Sequence, residues 1–169
     1  MLLTFIFRRF MQINFIDNFL TKSEHQRVYQ YCLSASYRYG EQDNPQTPTT
    51  GMVHNISGNE FVYKVLNRKI LETFDFLGPL KLYRMYVNCF APGERSYFHI
   101  DHNTGYTLLY YPHLEWSLND GGETQFYLEE SIQGICAVPN RLAIFDASLL
   151  HRATPFYHSH RFTIAIKYR

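Results

Sequence analysis

The sequence predicts a mainly β domain with flanking helices, a jelly roll of eight antiparallel strands preceded by two N-terminal supporting helices. Three observations carry this. From residue 81 onward the chain is a succession of short runs rich in aromatic and β-branched residues, separated by turn signals, which is the pattern of a sandwich or barrel. Before Gly78 it holds two stretches of helical periodicity instead. Its 169 residues suit one domain, large enough to bury about 70% of its extended surface without disulfides or structural metal.

The opening run Met1 to Arg9 is apolar but too short to span a membrane, and its charges follow rather than precede the apolar part, unlike a signal peptide. Residues 1–10 therefore read as an upstream extension to a single domain at 11–169, with Gln12-Ile13-Asn14-Phe15-Ile16 as its first strand. Thr21-Lys22-Ser23-Glu24 has capping-box spacing, and Val28, Tyr31, Cys32 and Ala35 then share one stripe, so 21–36 is expected to be a helix. From Gly40 to Gly58 the chain turns polar, with Pro45 and Pro48 and no apolar periodicity. Such a stretch is expected to be a loop, either a mobile lid over the open end of the barrel or a solvated connector. Ser57 or Asn59 can cap a second helix whose buried stripe is Phe61, Val62, Val65, Leu66, Ile70 and Phe74, ending near Gly78-Pro79. Eight strands follow, near 81–90, 97–101, 105–111, 123–128, 134–138, 141–146, 151–155 and 161–168. Pro92-Gly93, Asn103, Asp120-Gly121-Gly122, Pro139-Asn140 and His158-Ser159-His160 separate them, and two Greek keys would close such a set into a jelly roll.

The candidate chemistry sits on three of these strands. In Tyr97-Phe98-His99-Ile100-Asp101, side chains of an extended chain alternate faces, so His99 and Asp101 point the same way and could grip one metal ion. The pair alone says little, because eight His and fifteen Asp+Glu yield about 0.7 such pairs by chance in a chain of this length. His151 and, ten residues later, Arg161 turn the pair into a constellation of two imidazoles, a carboxylate and an arginine. His158 or His160 could replace His151 as third ligand, although only His151 directly follows the apolar run 144–150 and has the spacing to Arg161. His102 should face away from Asp101. His54 and His113 lie in loop-like sequence and are assigned no role. Tyr86, Tyr97 and Trp116 read as core or rim aromatics, and Arg152 could reach substrate or solvent.

Charge and cysteine usage exclude several classes. Sixteen Lys+Arg against fifteen Asp+Glu leave a net charge of +1 with no basic block, so no nucleic-acid footprint is evident. Cys32, Cys89 and Cys136 are odd in number and lack C-x-x-C spacing, which points away from a disulfide framework or zinc site and towards a reducing, cytoplasmic setting.

The order of H-x-D, a Tyr-Tyr strand, a Gly-Gly-Glu-Thr turn, a distal His and a basic residue ten positions on resembles the Fe(II)/2-oxoglutarate-dependent dioxygenases, and within them the prolyl 4-hydroxylase branch. The resemblance covers 81–169. It implies a double-stranded β-helix, another name for the jelly roll, with iron inside one open end. It assigns His99, Asp101 and His151 as iron ligands and Arg161 as the residue that binds the far carboxylate of 2-oxoglutarate. Tyr111 matches a tyrosine that hydrogen-bonds the same carboxylate in some relatives. Collagen-type members carry Lys at the Arg161 position, while oxygen-sensing and many microbial members carry Arg. Phe90 stands near a point where relatives often have tyrosine, so any hydroxyl contact from there is missing or supplied elsewhere. Two His and a carboxylate on one face are the facial triad of non-haem iron oxygenases. Arg161 suits a carboxylate because its planar fork stays charged and pairs bidentately.

What the resemblance implies is hydroxylation of an unactivated C–H bond, with dioxygen and 2-oxoglutarate consumed and succinate and carbon dioxide released, and ascorbate as an accessory reductant. A peptide prolyl substrate comes first, a free amino acid or other small metabolite second and an alkylated base third. A non-catalytic jelly-roll binding module is the alternative of a different class, but it would have no reason to keep Arg161 in register with a three-ligand site. No membrane partner is expected.

Overall fold

The computed structural model describes residues 13–169, and the expected extension at 1–10 lies outside them. Two antiparallel sheets face each other. The larger has seven strands in the order β1-β8-β5-β10-β4-β3-β2 and the smaller three, β7-β6-β9. In chain order these are β1 Ile13–Ile16, β2 Arg38–Tyr39, β3 Met52–Asn55, β4 Leu82–Phe90, β5 Tyr106–Tyr110, β6 Thr124–Leu128, β7 Ser131–Ile135, β8 Leu142–Asp146, β9 His151–Ala153 and β10 Arg161–Tyr168. Helices α1 (Lys22–Ser34) and α2 (Phe61–Thr73) cover the outer face of the larger sheet. The mainly β jelly roll with two supporting helices is the fold observed, but with ten strands among the described residues rather than eight.

Both helices form close to where the sequence places them, but α2 starts after Glu60, with no side-chain cap from Ser57 or Asn59, and ends at Thr73 rather than near Gly78-Pro79. The Thr21 side chain accepts from the Glu24 amide, and the Glu24 carboxylate accepts from the Thr21 amide, closing the capping box. Val28 and Cys32 of α1 and Val62, Val65, Leu66 and Ile70 of α2 enter one apolar layer with Met85, Val87 and Cys89 of β4 and Phe162, Ile164, Ile166 and Tyr168 of β10. The opposite faces of those strands look between the two sheets, where Tyr86, Leu109, Phe126, Ala143, Phe145 and Ala165 form a second cluster. Period-two alternation along β10 thus sends the apolar side chains to the helices and Arg161, Thr163, Ala165 and Lys167 to the interior.

Three expectations need correction. Residues 97–101 do not make a strand: only His99 pairs, through one bridge to His151. The segment's other backbone donors go elsewhere, Tyr97 N–H to the Asp43 carboxylate at 2.6 Å and those of Asp101 and His102 to the Ala147 carbonyl. The strand expected at 134–138 is shifted back to Ser131–Ile135, paired with β6 through a tight turn at Glu129 and Glu130, both at positive φ (47° and 63°). That conformation is usually signalled by Asn-Gly, which is why a Glu-Glu turn was illegible. Finally, the polar stretch 40–58 is not one loop, because Met52–Asn55 adds to the β4 edge with Met52 opposite Cys89 and His54 opposite Val87. The rest, 40–51, is fastened by polar contacts: Glu41 to Arg84 at 2.8 Å, Asp43 to the Tyr97 amide, and the Gly51 amide to Glu94 at 2.6 Å. Among the described residues no helix is long and apolar enough to cross a membrane.

Candidate metal centre

His99 and His151 are held side by side by their own backbones. Each amide donates to the other's carbonyl at 2.9 Å, and the two imidazoles lie 4.5 Å apart between centroids. The β9 strand fixes His151 against Phe126 of β6, and Phe126 and Phe145 flank its ring at 5.9 and 4.7 Å. Asp101 turns into the same space, its Oδ1 3.6 Å from His99 Nε2 and its Oδ2 3.7 Å from His151 Nε2. One ligand atom from each of the three residues falls within 4.8 Å of the others, so this trio could hold a metal ion.

The tautomers follow from the partners. Nδ1 of His99 lies 3.0 Å from the Tyr97 carbonyl, and Nδ1 of His151 lies 2.8 Å from the Leu149 carbonyl. A carbonyl only accepts, so each Nδ1 carries a proton and each Nε2 turns to the shared space, where the neutral ring offers its lone pair. Burial pushes His151 down to about 4, which keeps it neutral and ready to ligate. For His99 burial works the same way, but hydrogen bonds to Asp101 and the Tyr97 carbonyl outweigh it and hold it above the ordinary imidazole value. Burial opposes the charge of Asp101 too, yet His99 and Lys167 hold its carboxyl well below the usual range. Both carboxylate oxygens have donors, Lys167 Nζ to Oδ1 and Thr107 Oγ1 to Oδ2, each at 2.5 Å.

These residues line a cavity of about 230 Å³. Its walls also include Arg161, Thr163, Thr124, Tyr86, Asn88 and Phe90, and the 40–51 loop contributes Glu41, Gln42, Asp43 and Thr50. Arg161 is 1% exposed. Its Nε donates to the Gly122 carbonyl at 2.9 Å, and its two terminal nitrogens donate to Thr163 Oγ1 at 2.6 Å and Thr124 Oγ1 at 3.2 Å. Among the described residues no carboxylate comes within ion-pair distance of it. Gly122 must be glycine for this: φ is +86° and a Cβ would stand 2.0 Å from the Phe156 ring. A buried, uncompensated guanidinium is costly, and burial lowers the Arg161 pKa accordingly. Such a group calls for an anion from outside the chain.

Tyr111 takes a different place from the other candidates. It is fully buried, and its hydroxyl shares a 2.7 Å hydrogen bond with Thr124 Oγ1, the same oxygen that accepts from Arg161. Thr124, not Tyr111, forms the cavity wall. His158 and His160 are exposed and outside the trio. His102 bonds with Thr104 and approaches Arg169 at 3.4 Å. His54, on β3, meets the Tyr31 hydroxyl at 2.8 Å, while His113 accepts from the Phe162 amide at 2.9 Å, both structural contacts. Tyr86 is a cavity wall residue, Trp116 is anchored to the Gly121 carbonyl, and Arg152 donates to Gln125 with its guanidinium over Phe98. Sequence reasoning passed over Lys167, Thr107, Thr124 and Asp43 as partners of the centre. Lys167 was within reach of it, sharing the alternating face of Arg161.

No protein-family profile and no curated protein sequence matches the chain. Solved structures do. A prolyl hydroxylase from Trichoplax adhaerens, in complex with a hypoxia inducible factor peptide fragment, superposes at TM-score 0.74 and 21% identity, covering 95% of this chain and 84% of that one. A prolyl-4-hydroxylase from Pseudomonas putida gives TM-score 0.75 at 14% identity over 95% and 94%. This chain has the fold of the prolyl hydroxylases. The same fold extends to HygX from Streptomyces hygroscopicus, with nickel and 2-oxoglutarate bound, at TM-score 0.73 and 12% identity over 98% of this chain and 85% of HygX. At these identities the prolyl hydroxylase fold is what is shared, and the chemistry has to be argued from this chain's own residues.

Proposed function

We propose that this protein is an Fe(II)- and 2-oxoglutarate-dependent oxygenase that hydroxylates an unactivated C–H bond, with a prolyl residue of a peptide as first-choice substrate. The observation that carries the reading is the buried, unpaired Arg161 guanidinium in the same cavity as a His99, Asp101 and His151 trio whose Nε2 and carboxylate atoms converge. The donor set fits a divalent first-row metal of the iron kind, with three coordination positions left open. The cavity fits a small dicarboxylate, because the buried Arg161 guanidinium lines it without an ion-pair partner and the hydroxyls of Thr124 and Thr163 stand beside it.

Bound iron with 2-oxoglutarate and dioxygen supplies oxidative decarboxylation to succinate and carbon dioxide coupled to insertion of oxygen into C–H. The chain's share is placement. His99, Asp101 and His151 would hold the metal, with the carbonyls of Tyr97 and Leu149 fixing both rings. Arg161 would pair the far carboxylate of 2-oxoglutarate, oriented by Gly122, Thr124 and Thr163, with Tyr111 supporting Thr124 from behind. Ascorbate would act as an accessory reductant. The unpaired Cys32, Cys89 and Cys136 suit the cytoplasm, where we place the protein.

A peptide substrate is supported by the peptide held by the Trichoplax adhaerens protein. A small molecule is the second reading, supported by the hygromycin B bound to HygX. Incubation with Fe(II), 2-oxoglutarate and a library of proline-containing peptides should give succinate and a peptide heavier by one oxygen. Succinate formation stimulated by small metabolites and by no peptide would favour the second reading.

The 40–51 loop contributes four cavity walls and is fastened only by polar contacts, which suits a cover that closes on substrate. Limited proteolysis should cut it in the free protein and spare it when Fe(II), 2-oxoglutarate and substrate are present. Equal cleavage in both states would make it a connector.

A further inference from the structure

Beyond the trio and Arg161, one buried cation has no part in the reading so far. Lys167 is the last inward residue of β10, six positions after Arg161 on the same face, and is 8% exposed. Its ammonium donates to Asp101 Oδ1 at 2.5 Å and lies 5.2 Å from the centroid of the Tyr86 ring. Thr107 Oγ1, also at 2.5 Å, takes the other oxygen. Both oxygens of Asp101, which has only 4% of its side chain exposed, thus have donors within the chain.

We propose that Lys167 is a positioning residue that stands in for the metal as counter-cation of Asp101 and thereby sets how tightly the centre loads. The inference rests on the metal-site reading and goes beyond it, since it concerns what sets the avidity of the site. Without Lys167, the buried Asp101 carboxylate would keep the Thr107 hydroxyl and the His99 ring beside it but lose its one fixed cation, a state that is disfavoured. With Lys167, a carboxylate faces the two Nε2 lone pairs at an orientation fixed in advance. Loading has an opposing term. Whichever oxygen of Asp101 the divalent ion takes, the ammonium remains one carboxylate group away, and two cations at that separation repel in a poorly solvated cavity. Thr107 exerts no such repulsion, being neutral. Lys167 therefore stabilises the Asp101 carboxylate before an ion loads and weakens the hold on that ion, which is the opposite of what a packing residue beside a metal site does.

The test compares wild type, Lys167→Met and Lys167→Arg with Mn(II) as the probe ion. In chelator, Lys167→Met should melt below wild type. Mn(II) titrated calorimetrically should bind it tenfold or more tightly, and a competing chelator should strip the ion correspondingly more slowly. Lys167→Arg, which keeps the charge, should stay within a few-fold of wild type in both. If Lys167→Met folds only with metal present, the stripping rate still decides, and slower release is the expected result. Unchanged or weaker Mn(II) binding by Lys167→Met, with wild type binding normally, overturns the role of Lys167 alone. Failure of wild type itself to bind Mn(II) overturns the metal centre, and this inference with it.

Discussion

Replacing His99 or His151 by alanine is expected to abolish metal-dependent turnover of 2-oxoglutarate while leaving a folded protein. On the proposed reading each imidazole would supply one of three protein ligands, and no other described His or carboxylate joins the cluster. The exposed His158 and His160 cannot substitute without moving their loop. The folded state survives because most of the apolar core, between the helices and the larger sheet, lies away from the centre. Removal of His151 leaves a gap between Phe126 and Phe145, which large-to-small core changes make a matter of about 2 to 5 kcal/mol. Asp101→Ala behaves differently. It abolishes turnover too, but it strands the Lys167 ammonium, and breaking a buried pair from one side costs about 3 to 5 kcal/mol. The measurement is succinate release together with a melting curve in chelator, and the melting temperature of the Asp101 variant should fall the furthest. Retained decarboxylation in the His151 variant would move the third ligand elsewhere.

The second large effect is on the cosubstrate. Arg161→Ala should weaken 2-oxoglutarate binding by about 2 to 5 kcal/mol, or roughly thirty- to several thousand-fold, the scale of removing one member of a buried charge pair. Metal affinity should hold, because Arg161 makes none of its three hydrogen bonds to the trio. Arg161→Lys should lose less, keeping the charge but giving up the fork that serves Gly122, Thr124 and Thr163 at once. Calorimetry of 2-oxoglutarate with Mn(II)-loaded protein reads both. If the alanine variant kept its affinity, Arg84 or Lys167, the other cations of the cavity wall, would have to take the carboxylate, each at the expense of an existing ion pair.

Much of this was legible in the chain because it depends on local rules. The capping box at Thr21 and Glu24 starts α1, and the period-two alternation of 161–168 separates a helix-facing side from a cavity-facing one. What was illegible depended on partners distant in sequence. Residues 97–101 have strand composition, but their donors are claimed by Asp43 and Ala147, more than forty positions away on either side. Residues 52–55 look polar and unpatterned, yet the open edge of β4 recruits them as a strand. Tyr111 reads equally as a ligand contact or as packing, and its hydroxyl pairs with Thr124, the residue that reaches the cavity. Lys167 was visible as a face-sharing neighbour of Arg161, but its pairing with Asp101 requires the 97–101 segment to cross beside β10.

If one cavity holds Fe(II) through His99, Asp101 and His151 and 2-oxoglutarate through Arg161, the two bind together. Anaerobic addition of Fe(II) to the protein, with and without 2-oxoglutarate, tests it most directly by visible absorption. A weak charge-transfer band is expected only when both are present, and it should be lost in the His99 and His151 variants. A protein that binds Fe(II) but whose spectrum 2-oxoglutarate leaves unchanged would contradict it.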